Sequence, residues 1–124
     1  MAAKGIYYIL VFTSDLNRSK AFYGQKLGWT LGTDEYGVAG FSFGTGYLVL
    51  HEDSRPANER TYGGGMHVEV MVDDAKAEHA RLKALGVAVS DVKDQPWGER
   101  SFSFRDPDGY QWSYGQEIPA QAGH

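Results

Sequence analysis

The run HVEVMV, His67–Val72, sets an imidazole, a carboxylate and a thioether at every second position. In an extended strand alternate residues share a face, so His67, Glu69 and Met71 point one way and Val68, Val70 and Val72 the other. The valines suit packing on a helix, which leaves the polar set facing open space or a ligand. An imidazole placed there ligates a metal, hydrogen-bonds a small molecule, or pairs with a neighbouring side chain. Glu69 calls for a positive partner, either an Arg of the fold or a cation on a ligand. Met71 reads more readily as apolar filler than as a recognition surface.

Three other stretches carry groups of the same kind. Pro96-Trp97-Gly98-Glu99-Arg100 puts an indole in a loop with no strand or helix period to bury it. Such a ring is a lid over a local apolar patch or a rigid face for stacking a planar ligand. Arg100 clamps an acidic group or pairs with Glu69 or Glu99. In the last hairpin Gln111, Ser113 and Gly115 alternate with Trp112 and Tyr114, so a Ser113 that faces a ligand sends Trp112 towards a helix as packing. On the first strand Tyr8 shares a face with Leu10 and Phe12. Asp106 and Asp108 belong to an Asp-Pro-Asp-Gly turn and serve turn chemistry rather than acid–base catalysis. With no Cys, no Gly-x-Ser-x-Gly elbow and no Gly-Lys-Ser/Thr loop, thiol, serine-hydrolase and phosphate-loop chemistry drop out.

The elements that must position these groups follow from pattern. Ile6–Thr13 reads as a buried strand, Asp15 as a helix N-cap, and Leu16, Phe22, Tyr23 and Leu27 as one helix face ending at Gly28. Trp29–Gly32 is a short strand and Thr33–Gly37 a loop; Val38–Phe43 and Tyr47–His51 form a hairpin. After a polar, Gly-rich stretch from Glu52 to Gly65 the pattern restarts. His67–Val72 is a strand, Asp73 or Asp74 caps a helix over Ala77–Leu85, and Val87–Val89 is a strand. Lys93–Glu99 is a loop, and Arg100–Phe104 and Tyr110–Gly115 form a hairpin around the DPDG turn, with a frayed tail from residue 117. Asp15 and Asp74, Leu27-Gly28 and Leu85-Gly86, and Phe41-Ser42-Phe43 and Phe102-Ser103-Phe104 recur at offsets of 59, 58 and 61 residues. Such self-similarity marks a duplicated supersecondary unit. The expected fold class is therefore α+β, two βαβββ modules forming curved mixed sheets around a cleft. The modules run over about residues 5–52 and 66–116 of a single domain spanning 1–124.

Composition narrows the partners. A net charge of −4 with no basic cluster argues against nucleic acid, and no apolar run is long enough to span a membrane. Eight Tyr, six Phe and three Trp in 124 residues are a high aromatic share, and the acidic balance would tolerate or attract a cationic small molecule. The absence of Cys and of a signal-peptide pattern makes the cytoplasm the expected compartment.

The stretches SDLNRSKAFYGQKLGW, HVEVMVDD and FRDPDGYQWSYGQ resemble the vicinal oxygen chelate superfamily of glyoxalases, extradiol dioxygenases and bleomycin resistance proteins. The resemblance implies paired βαβββ modules, a homodimer and shared clefts; it does not imply one reaction. The family's enzymes hold a divalent metal with His, Gln or Glu at four strand positions. Here those positions align with Tyr8, Leu48, His67 and Ser113, which offer one good ligand. The expectation is a metal-independent binding protein of the bleomycin-resistance type, with no cofactor. It would take a flat ligand, open to a cationic one, in a cleft at the dimer interface. By the same resemblance Trp97 stacks on the ligand, with Phe41, Tyr8 and His67 as companions; the residue readings above add Glu69, Ser113 and Arg100 to the site. The alternative is a glyoxalase-like lyase, isomerase or dioxygenase with a metal site rebuilt from His51, Glu52 or Glu69, so turnover is left open.

Overall fold

Each half of the chain begins with a strand that runs straight into a capped helix. The computed structural model describes residues 2–120, and these divide into two compact units between Tyr62 and Gly63. In the first, β1 (Ile9–Thr13) leads to Asp15, whose side chain accepts from Arg18 N at 3.1 Å and starts α1 (Leu16–Ala21). A five-residue π-helical turn, Phe22–Lys26, extends α1 and buries Phe22 and Tyr23. Three strands follow: β2 (Thr30–Glu35), β3 (Val38–Phe43) and β4 (Gly46–Glu52).

The second unit repeats this plan. It runs from β5 (His67–Met71) through α2 (Ala75–Ala84) to β6 (Lys93–Gln95), β7 (Glu99–Arg105) and β8 (Gln111–Glu117). Asp74 caps α2 as Asp15 caps α1, accepting from Ala77 N at 3.1 Å. The sheet orders match: β1-β4-β3-β2 and β5-β8-β7-β6. In both, the first strand pairs parallel with the last and the other neighbours are antiparallel. The expected α+β duplication is what the structure shows. Among the described residues, no helix is long and apolar enough to cross a membrane.

One face of each sheet packs on its helix. Val11, Phe41, Leu48 and Leu50 do so in the first module, and Phe102, Phe104, Trp112 and Tyr114 in the second. Trp112 is fully buried, so its bulk serves packing. The DPDG turn is tied by Asp106, whose Oδ1 accepts from Asp108 N and Tyr110 N, each at 2.9 Å.

Several boundaries differ from those expected on pattern. Ile6, Tyr7 and Tyr8 precede β1 rather than forming its buried start, because pairing with β4 begins at Ile9↔Leu48. β2 runs to Glu35, and the expected loop shrinks to Tyr36-Gly37, both at positive φ (55° and 75°), the geometry of a two-residue hairpin turn. The expected strand Val87–Val89 is a single bridge, Val89↔Phe104. Lys93–Gln95, expected as loop, is a polar edge strand paired with Glu99–Ser101. The tail is ordered further than expected: β8 extends to Glu117, and Ile118 N bonds Gly98 O at 3.0 Å. The remainder of that tail, 121–124, lies outside the described residues.

Candidate ligand-binding site

The face of the second sheet that turns away from α2 carries His67, Glu69 and Met71 from β5. Ser113 and Gly115 come from β8, and Glu99, Ser101 and Ser103 from β7. Strand register fixes these neighbours: Glu69↔Ser113, Met71↔Gly115, Ser101↔Gly115 and Glu99↔Glu117. His67 Nε2 and Ser113 Oγ lie 2.6 Å apart, so the imidazole and the hydroxyl satisfy one another across two strands.

No arginine of the fold pairs with Glu69 among the contacts that set its charge. Its carboxyl meets that of Glu99 across Gly115, where the missing side chain makes the room. A Cβ built on Gly115 would sit 3.2 Å from Glu69 Oε2 and 3.3 Å from Glu99 Cδ. The hydrogen bond shared with Glu99, then partial burial, then repulsion from Glu99 push the Glu69 carboxyl up to about 7. Glu117 stands directly opposite Glu99 and adds a third carboxylate at this end of the sheet.

Trp97 sits at the tip of the β6–β7 hairpin with 60% of its surface exposed. Together with His67, Glu69, Glu99 and Ser113 it lines a hollow of about 560 Å³. A second recess of about 220 Å³ lies against Trp97, Met71, Gly115 and the three glutamates. Glu69, Trp97 and Glu99 border both. The larger volume is in the usual range for small-molecule sites. Chemically the face offers a flat indole, an exposed thioether and a carboxyl pair that shares a proton.

Of the residues singled out from sequence, His67, Glu69, Ser113 and Trp97 come together here. Arg100 does not. Alternation along β7 turns it to the face opposite Glu99, where it grips Asp94 through Nε (2.7 Å) and Nη2 (3.1 Å). That bond, with Asp74 nearby, holds the guanidinium above its ordinary range, and Asp94 is correspondingly held down. Phe41 is a correction of the same kind. It is 1% exposed and packs on the helix side of the first sheet, close enough that a Cβ on Gly24 would lie 3.3 Å from its ring. Tyr8 is in the first module, half exposed, with its ring edge-on to Tyr7 at 5.3 Å.

The metal positions can be tested against the same register. Leu48 points into the core at 0% exposure, and on the other face β4 presents Tyr47, Val49 and His51. Of Tyr8, Leu48, His67 and Ser113, His67 alone is a strong ligand type, and it is engaged with Ser113. His51 Nδ1 is 2.7 Å from the Glu52 carbonyl oxygen. Among the described residues, no three His, Asp or Glu side chains gather at a point that could hold a metal. The donor set does not fit the metal of the family's enzymes.

Sequence reasoning missed Glu99 as the partner of Glu69. The signal was present in the DPDG turn: flanking Arg105 pairs with Gln111, and counting outward brings Glu99 opposite Glu117 and Ser101 opposite Gly115.

The duplicated βαβββ plan, with a recessed sheet face in its second module, defines a class of fold that hosts several functions. Residues 5–114 match the Glyoxalase/Bleomycin resistance protein/Dioxygenase superfamily, and the chain is a member of that family. It is similar to TnmS3, an antibiotic binding protein from Streptomyces sp. CB03234, with a TM-score of 0.80 and 31% identity over 94% of this chain and 98% of that one. A glyoxalase/bleomycin resistance protein/dioxygenase from Nocardioides aligns with a TM-score of 0.78 and 27% identity, covering 99% of this chain and 92% of its own. An uncharacterized Escherichia coli protein, YaeR, is 30% identical over 122 residues, 88% of this chain and 93% of the relative.

Proposed function

We propose that the chain is a metal-independent binding protein that sequesters a flat, antibiotic-like small molecule, without turnover, on the Trp97 face of its second module. The observation that carries this reading is the exposed indole beside the Glu69–Glu99 pair over a hollow of about 560 Å³. An exposed Trp ring supplies stacking worth about 0.5–1.5 kcal/mol per ring pair beyond area burial. The carboxyl pair favours a ligand bearing a protonated amine, which settles between two oxygens that otherwise share a proton. The likeness to TnmS3, an antibiotic binding protein, supports the ligand class. In this proposal a second copy of the chain covers the face, so that the ligand lies in a cleft at a homodimer interface. The cytoplasm is the proposed compartment.

Titration of tryptophan fluorescence with a panel of planar aromatic antibiotics tests the reading, with cationic and neutral compounds in parallel. Wild type is expected to be quenched and Trp97→Ala to lose both quenching and binding, while its stability stays within about 0.5 kcal/mol. Binding that survives in Trp97→Ala overturns the placement of the ligand. One firmly held divalent metal per chain in the purified protein would overturn metal independence in favour of a lyase or dioxygenase.

A further inference from the structure

Trp97 is largely exposed, yet the residue after it in the turn, Gly98, is held from two sides. Within the turn, Gly98 N bonds Gln95 O at 3.1 Å. From outside it, Ile118 N bonds Gly98 O at 3.0 Å and carries the β7–β8 ladder one step past Glu99↔Glu117. The chain leaving β8 then crosses close behind the turn. A Cβ on Gly98 would lie 2.9 Å from Ile118 O and 3.4 Å from Ala120 N, and Gly98 sits at φ +102°, a region that disfavours any side chain. Gly98 is thus required both by its own backbone and by the segment pressed against it.

We propose that Ile118–Ala120 form a strap that fixes the Trp97 turn, so that Gly98 and Ile118 are positioning residues that set ligand affinity without touching the ligand. The affinity half rests on the stacking reading of Trp97. A ring held before the ligand arrives loses less freedom on binding, which is the general advantage of preorganisation. The strap supplies this from the end of the chain, through backbone groups.

The test compares the full chain with a truncation after Glu117, a control truncation after Ala120 and the variant Gly98→Ala. The first readout is acrylamide quenching of ligand-free protein. Trp29 and Trp112 are buried, at 9% and 0% exposure, so the quencher reports chiefly on Trp97. Truncation after Glu117 and Gly98→Ala are expected to raise quenching, and to weaken binding of any Trp97-dependent planar antibiotic about three- to tenfold. The control should match the full chain. Unchanged quenching in the Glu117 truncation, with circular dichroism intact, refutes the strap; if that truncation fails to fold, quenching of Gly98→Ala decides the matter. Altered quenching with unaltered affinity refutes the affinity half. If no compound binds through Trp97, that half falls together with the stacking reading, and the quenching arm still decides the strap.

Discussion

Replacing Glu99 by Gln should release the proton that Glu69 holds. In the wild-type protein the Glu69 carboxyl titrates near 7 against an ordinary value of 4.5, and the first cause is its hydrogen bond with Glu99 across Gly115. Burial is the second cause and repulsion from Glu99 the third. The substitution removes the first and third together. The amide that it introduces can donate to the ionised carboxylate, which favours the charged form further. Glu69 should therefore fall back most of the way towards 4.5, keeping the modest rise that burial alone supplies. At pH 5.5 the wild-type carboxyl is mostly protonated and that of the Glu99→Gln variant mostly ionised. Carbon-detected NMR of the glutamate carboxyls from pH 3 to 9 resolves the two curves. Stability moves with them. A raised folded-state value contributes stability that is fully present below 4.5 and is lost as pH rises through 7, so the wild type weakens across that window and Glu99→Gln weakens less. Glu69 is more than a third exposed, and solvent screening keeps this difference under about 1 kcal/mol. A Glu69 signal that still titrates near 7 in Glu99→Gln would refute the shared-proton account.

The other expectations separate core from site. Phe41→Ala should lower stability by about 3–5 kcal/mol in urea unfolding, the cost of emptying a buried aromatic position. Arg100→Ala should leave ligand affinity unchanged in the fluorescence titration, because its side chain grips Asp94 on the far side of β7. Gly115→Ala should keep the fold and part the two carboxyls, lowering affinity for cationic ligands more than for neutral planar ones in the same titration.

Much of the architecture was readable where a residue type has one physical use. Asp15 is an N-cap in both pattern and structure; the pattern leaves Asp73 or Asp74 for the second helix, and the structure decides for Asp74, 59 residues on, between two sheets of identical strand order. The HVEVMV strand showed its faces because valine and polar residues alternate strictly. Lys93–Gln95 was illegible as a strand because an edge strand exposed to water on most of its surface needs no apolar period. Ile6–Tyr8 misled in the opposite sense, since an apolar run does not reveal whether a partner strand reaches that far. Leu48 and Val49 show how a slip of one residue exchanges the two faces of a strand. The resemblance offers Phe41 as a companion of Trp97, whereas its place in β3 buries it in the core of the first module. The Glu69–Glu99 contact depended on register between three strands and on the one glycine that lets them meet.

The Glu99–Glu117 opposition has a consequence for how this protein would respond to selection. Two like charges facing one another in an antiparallel ladder weaken the hairpin, and a third carboxylate beside them adds to the repulsion. A library chosen for heat resistance alone is expected to accept a lysine or glutamine in place of Glu99 or Glu117 early, and the hairpin would tighten. The same changes would strip the face of the charge that the proposed cationic ligand needs. Under the proposed function, thermal robustness and ligand capture are opposed at this one cross-strand pair.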